Sequence, residues 1–182
     1  MNFVTSFRSV RIFSTVFTLI LSTGIYAFGS SPLDCNEYFK THYPVNEFSL
    51  IRGGMALDKR TNLIWQRCNV GEFWADSACK GFPSRLSWNE GLIAAESSRL
   101  GGYDDWRLPS VKELKELAEP NCLNPAINTY VFESVLPDIY WTSKTNLFNS
   151  LYAWGVFMFN GYDFSGHAKK NPNLVLLVRE NK

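Results

Sequence analysis

Residues Gly101 to Leu114 read "GGYDDWRLPSVKEL". Two adjacent carboxylates, an indole and a guanidinium stand here between a glycine pair and a Leu-Pro step. Such a set could hold a cation, touch a sugar or fix a corner of the fold. Calcium takes about six to eight oxygens, and Asp104 with Asp105 offer only one adjacent pair. A structural corner suits the residue types better. An Arg107 fork can bridge one or both aspartates and nearby carbonyls. Trp106 would fill the core, and Leu108-Pro109 would launch a helix capped by Ser110. Asp104, Asp105, Trp106 and Arg107 are therefore read as a structural motif.

Other spacings that could do chemistry are weaker. Asp163, Ser165 and His167 fall together after Gly161, and the only other histidine is His42. A triad is defined by geometry rather than by closeness in sequence, and a hairpin turn is a poor frame for one. Glu119-Pro120-Asn121 matches the calcium and sugar triplet of many mannose-binding lectins. Those lectins follow it with Trp-Asn-Asp, whereas here Trp88-Asn89-Glu90 comes first and opens a helix. The triplet reads as a helix stop at Pro120. No glycine-rich phosphate loop or dinucleotide fingerprint is present. The cysteines are Cys35, Cys68, Cys79 and Cys122, and their spacings lack the close pairs of a zinc site. Two disulfides are expected, with Cys68–Cys79 and Cys35–Cys122 the favoured pairing among the three possible. No metal and no cofactor is expected.

The first residues carry Arg8 and Arg11, then an apolar run from Ile12 to Leu21 and small residues beyond it. That order describes a signal peptide over residues 1–27, cut after Ala27, with a cut after Gly29 the second choice. The run is too short to span a bilayer, which needs about 20 residues. The chain is therefore expected to be secreted, periplasmic or at the cell surface, and not membrane-spanning after cleavage. Removing the two arginines leaves 16 basic against 17 acidic side chains, so the formal charge moves from +1 to −1. Nucleic acid is not an expected partner. Six Trp, eight Tyr and fourteen Phe instead suit a domain that covers apolar or sugar surfaces. The sequence leaves the oligomeric state open.

These residues must be positioned by a single domain over residues 53–182, preceded by an irregular, disulfide-tied extension over 28–52 that contains Pro32 and Pro44. Met55 to Cys68 reads as a hairpin with a polar turn at Asp58 to Asn62, where Asn62 tolerates positive φ. Cys68 to Pro83 reads as a loop. Ser87 with Glu90 forms a capping box. It opens a helix with Trp88, Leu92, Ile93, Ala95 and Leu100 inward, ending at Gly101-Gly102. Ser110 with Glu113 opens a second helix, with Val111, Leu114, Leu117 and Ala118 buried. Ile139–Ser143 and Ala153–Phe159 read as strands, and Asn160-Gly161 as a two-residue hairpin turn. Leu174 to Val178 is apolar on both faces and should be a buried strand. The fold class is α+β.

The blocks "DKRTNLIWQRC", "LGGYDDWRLPSVKELKEL", "NPAINTYVF", "YWTSK" and "AWGVFMFNG", in that order, carry a resemblance. From about Gly53 to Arg179 the chain resembles the family of exported bacterial domains typified by the C-terminal domain of the Legionella collagen-like protein (Lcl). The segment "WRLPSVKELKELA" is also similar to the signature of the formylglycine-generating, sulfatase-modifying fold. The resemblance implies a C-type-lectin-like fold, with two helices on a twisted, mostly antiparallel sheet and long disulfide-tied loops. It further implies adhesion to sulfated polysaccharides. Candidate cations for such a ligand are Lys59 and Arg60 at a hairpin tip and Lys169 and Lys170 before the last strand. Tyr162, with Tyr152 and Phe164, could stack on sugar. Asn62 and Ser110 depart from the usual Gly and Thr, and no Gly-x-y stalk precedes the domain. Formylglycine-generating activity needs free thiols, so it is not carried over. The leading expectation is a non-enzymatic module that binds an extracellular glycan. An envelope- or pilus-associated protein-interaction module is the alternative, and an enzyme on the sulfatase-modifying fold stands third.

Overall fold

The computed structural model describes residues 33–34, 38–39, 47–119 and 121–182. The expected signal peptide 1–27, Cys35, His42 and the expected helix stop at Pro120 lie outside them. The expected hairpin forms. Strands β3 (Met55–Asp58) and β4 (Leu63–Gln66) pair antiparallel, with Asp58 opposite Leu63. Asn62 closes their turn at φ 56°. Strand β2 (Phe48–Ile51) adds to one edge and β11 (Val178–Glu180) to the other, giving the order β11-β4-β3-β2. Residues 48–51, expected to belong to an irregular extension, are thus part of the main sheet, because Phe48 is buried in the core.

A second antiparallel sheet holds β8 (Ile139–Thr145), β9 (Tyr152–Phe157) and β10 (Tyr162–Ala168) in the order β10-β9-β8. In place of the single sheet expected from sequence there are therefore two main sheets, besides two smaller strand pairs. The expected two-residue turn at Asn160-Gly161 spans four residues, 158–161, between the paired Phe157 and Tyr162. Met158 is the reason. Its amide donates to the Asp138 carbonyl and its own carbonyl accepts from Ala126, so neighbouring segments claim it. The Cys68–Pro83 loop holds its own hairpin, β5 (Glu72–Ala75) with β6 (Ala78–Gly81). Asp76 and Ser77 both take positive φ there, the twist a tight two-residue turn needs. The Cys68–Cys79 disulfide closes this unit. A short parallel pair joins β1 (Leu33–Asp34) to β7 (Cys122–Leu123). Cys122 is disulfide-bonded and buried beside Phe39.

Helix α1 (Trp88–Ser97) and helix α2 (Val111–Leu117) each start at the expected capping box. Helix α1 ends earlier than expected. The Ser97 hydroxyl bonds back to the Ile93 carbonyl and the Arg99 guanidinium caps the Glu96 carbonyl, so the last turn is closed by side chains. Gly101, at φ 65°, sits in a following 3-10 turn instead. The buried face of α1 is Gly91 and Ala95, while Leu92 and Ile93 face solvent, contrary to the expected stripe. Gly91 faces Val175 so closely that a methyl there would crowd it. Leu114 and Leu117 of α2 are buried as expected.

Apart from the small cluster at Phe39 and Cys122, the core divides into two clusters joined by residues 174–178. Leu174, Leu176 and Val178 belong to one, with Trp65, Phe132, Tyr140 and Val156. Val175 and Leu177 belong to the other, with Trp106, Leu108 and Trp141. Alternation along an extended chain sends successive side chains to opposite sides, so this run faces apolar surroundings on both. It is buried as expected, but only Val178 lies in a regular strand. Its backbone is shared among partners: Leu174 bonds Ile139 and Trp141, Val175 accepts from Val70, and Leu177 accepts from Gln66. Among the described residues no helix is long and apolar enough to cross a membrane.

The disulfides give a direct check. Exported protein, denatured without reductant, should carry no alkylatable thiol by intact mass. Two or more modified cysteines would contradict the paired arrangement.

Candidate functional site

The Gly101–Leu114 stretch forms a corner, with partners other than those expected. Arg107 does not meet Asp104 or Asp105. Its guanidinium donates to both Glu113 carboxylate oxygens at 2.9 and 2.8 Å and to Glu180 at 2.7 Å. Asp105 is held instead by Arg179, at 2.6 and 3.3 Å, with Lys182 at 3.5 Å. Asp104 is exposed. The corner is tied to β11 through the backbone: Arg107 and Val178 exchange amide–carbonyl bonds at 3.0 Å in an antiparallel bridge. Around that bridge Arg107 reaches Glu113 of α2 and Glu180, and Arg179 reaches Asp105.

Glu113 serves two ends at once. Its carboxylate accepts from the Ser110 amide at 2.7 Å, completing the α2 cap, while the Arg107 fork grips it from outside. Burial works to raise the Glu113 carboxyl, but the bonds from Arg107 and Ser110 outweigh it and hold it below its ordinary value. Asp105 is also held low, chiefly by the Arg179 hydrogen bonds. Arg179 is almost wholly buried and lies over the Tyr103 ring at 3.7 Å. Trp106 is buried and its indole donates to the Leu100 carbonyl at 3.0 Å. This is scaffold geometry: Asp105, Trp106 and Arg107 are each bonded to another part of the fold. Sequence reasoning missed Arg179, because its only signal is the odd charge at the end of an apolar run.

Two more polar knots brace the frame. Asn69, fully buried, accepts from the Tyr140 hydroxyl at 2.7 Å and donates to the Ser134 carbonyl at 2.7 Å. Burial pushes the Tyr140 hydroxyl well above its ordinary value, so it stays protonated. Arg67 donates to the Val131 carbonyl at 2.7 Å and stacks on Trp74 at 4.1 Å.

The expected ligand-contacting residues lie away from this corner, and only Lys169, Lys170 and Tyr152 come together. The Lys169 carbonyl accepts from the Trp88 amide at 2.9 Å, and the Lys169 amide donates to the Leu151 carbonyl at 2.9 Å. Those bonds fix the end of β10 between the start of α1 and the loop at 146–151. An open groove of about 820 Å³ results, lined by Asn89, Glu90, Ser150, Tyr152, Lys169 and Lys170 among others. The Lys169 ammonium lies 4.2 Å from the centre of the Trp88 ring, and Lys170 is exposed. The one acid in the groove, Glu90, is spoken for: bonds from Ser87 close the α1 cap and hold its carboxyl below the ordinary value.

The other candidates are placed apart. Arg60 is bound to Glu47 at 3.1 Å, to Asp58 at 3.4 Å and to the Glu116 carbonyl at 3.0 Å. Lys59 is exposed on the same turn. Tyr162, 71% exposed, stands at the opposite end of β10 from Lys169. Asn160-Gly161 is therefore remote from the lysine pair. A second groove collects Lys112, Lys115 and Lys144 with Glu116 and Asp163. Sequence reasoning missed it, although Lys112 and Lys115 are one helical turn apart. Its charge is largely paired, Lys115 with Asp163 and Lys112 with Glu116. Asp163 is thus engaged by Lys115, and among the described residues no hydrogen bond joins it to Ser165 or His167. His167 packs edge-on against Trp141 and Phe164, where burial lowers its pKa. The Glu119 carboxylate turns onto the Asn121 amides.

Frame and corner define a small, disulfide-tied α+β domain. The chain belongs to the Lcl C-terminal domain family, whose model matches residues 54–179. No curated protein matches the chain.

Two outcomes follow for the corner. Arg179→Ala should destabilise the fold by about 2–3 kcal/mol, since a buried charge-assisted fork is lost. Arg107→Ala should cost only about 1–2 kcal/mol, because that side chain is 38% exposed and solvent screens it. Thermal or denaturant unfolding gives the order, and a reversed order would contradict the partner assignment. Acid provides the second check. Carboxyls held low in the folded state add stability above their unfolded pKa and lose it as pH falls through the folded one. Stability should therefore drop below about pH 4, and Glu113→Gln, which preserves the cap, should flatten that drop. An unchanged acid slope would show that Arg107 does not govern Glu113.

Proposed function

We propose that the chain is exported through residues 1–27 and acts outside the cytoplasm as a non-enzymatic binding domain of C-type-lectin-like architecture. Its ligand is a sulfated polysaccharide, and the site is the groove at Lys169 and Lys170. One observation supports this most: the groove unites two adjacent lysines with the polar side chains of Asn89 and Ser150 and the ring of Tyr152. Ammonium groups bind sulfate through charge-assisted hydrogen bonds, amides and hydroxyls match sugar hydroxyls, and an aromatic face covers a pyranose ring. A net charge near zero means that attraction must come from a local patch of this kind. The Lys59–Arg60 turn suits the role less well, because Arg60 already bonds Glu47, Asp58 and Glu116. Disulfides at Cys68–Cys79 and Cys122 fit an oxidising compartment.

A protein partner is the second reading. Strand β10 lies at a sheet edge, and Tyr162, Phe164 and the neighbouring Phe157 are partly or largely exposed on it. An edge strand of that kind can accept a partner's strand.

Replacing Lys169 and Lys170 together with Glu should leave the thermal midpoint unchanged and weaken sulfated-glycan binding tenfold or more, about 1.4 kcal/mol. Wild-type affinity should also fall with salt. Lys80→Glu, on the separate β5–β6 hairpin, serves as control. Equal affinity for all three proteins would remove the groove from consideration, and salt-independent capture of a single envelope protein would favour the β10 edge.

A further inference from the structure

The loop between β8 and β9 displays three large apolar side chains: Leu147 is 84% exposed, Phe148 99% and Leu151 71%. Scattered exposed apolar residues are ordinary, but these share one tight loop, and that loop is built. The Asn146 side chain accepts from the amides of Phe148 and Asn149 at 2.8 and 3.1 Å, and donates to the Ser165 carbonyl at 2.9 Å. The Asn149 side chain accepts from Leu151 at 3.0 Å, and the Asn149 carbonyl accepts from Tyr152 at 3.1 Å. The Asn146 amide closes the base on the Tyr152 carbonyl at 3.0 Å. Asn side chains that bond the backbone in this way fix a turn. A loop fixed with its apolar side chains outward gains nothing from them inside the domain. Preorganised display of that kind lowers the cost of contact with something outside it.

We propose that residues 146–151 form a lipid-contacting tip that seats Leu147 and Phe148 at the headgroup boundary of an anionic bilayer. Charge selects this occupant. From Lys144 to Val178 the sequence contains one acid, Asp163, and that acid is paired with Lys115. Lys144 precedes the loop by two residues, and Lys169 is bonded to Leu151 at its far side. Lys170 follows, exposed. Glu90, across the adjoining groove, is held by Ser87. An apolar tip with a cationic surround is the pattern that binds interfacially, by shallow apolar insertion plus attraction to anionic headgroups. The proposal does not rest on the glycan reading, because Leu147 and Phe148 lie outside the lysine groove.

The full-length mature protein should be sedimented with phosphatidylcholine vesicles with and without phosphatidylglycerol. Wild type should bind the anionic vesicles and lose that binding at high salt or without phosphatidylglycerol. Leu147→Ser with Phe148→Ser should lower vesicle affinity at least tenfold while leaving the thermal midpoint and sulfated-glycan binding unchanged. Phe148→Ser alone, at a side chain almost wholly in solvent, should give an intermediate loss. Absence of wild-type binding to anionic vesicles, or equal binding by the double variant, would overturn the proposal. So would concentration-dependent self-association abolished by the double variant with no vesicle binding, which would assign the tip to a second copy of the chain.

Discussion

The run Leu174–Val178 has no polar side chain, so neither of its faces can be left to water. That one constraint organises the domain. Leu174, Leu176 and Val178 turn into the cluster between the two sheets and α2, and Val175 and Leu177 into the cluster under α1. Its backbone groups must also be satisfied where no water reaches. Both groups of Leu174 and Val178 and the Val175 and Leu177 carbonyls are met by Ile139, Trp141, Gln66, Val70 and Arg107, drawn from four separate segments. The segment is therefore less a strand of one sheet than the seam that closes both.

Corner and groove are consequences of that seam. The Arg107–Val178 bridge ties the corner to the end of the run, where Arg179 reaches Asp105 and Arg107 reaches Glu113. The bridge between Leu86 and Asn173, at the near end of the same run, holds the start of α1 beside Lys169. A ligand at Lys169 and Lys170 would thus meet a surface whose geometry is fixed before binding, which lowers the entropic cost of association.

Local chemistry was legible in the sequence wherever a few neighbouring residues decide the outcome. Both capping boxes, the turn at Asn62 and the Cys68–Cys79 link belong to that kind. Membership of the Lcl C-terminal domain family was legible from ordered blocks. What failed depended on distant partners. Arg107 was expected beside its sequence neighbours, but the corner pairs it with Glu113 and Glu180 and gives Asp105 to Arg179, a residue 74 positions away. Met158 was expected in a strand, but the segments at Ala126 and Asp138 claim its backbone and lengthen the turn. Leu92 and Ile93 were expected in the core, but Gly91 brings α1 down on Val175 along a different face. At the candidate site, the lysine pair was visible as a doublet. Its nearness to α1 and to the Leu151 loop comes only from the closed fold.

The most direct measurement is amide chemical-shift mapping of the isotope-labelled protein titrated with a sulfated oligosaccharide. Shifts should concentrate at Asn89, Glu90, Leu151, Lys169 and Lys170, shrink as salt rises, and leave the buried amides of 174–178 in place. Shifts centred on the Lys59–Arg60 turn or on the Tyr162 end of β10, or no saturable shift at all, would contradict a glycan site in that groove.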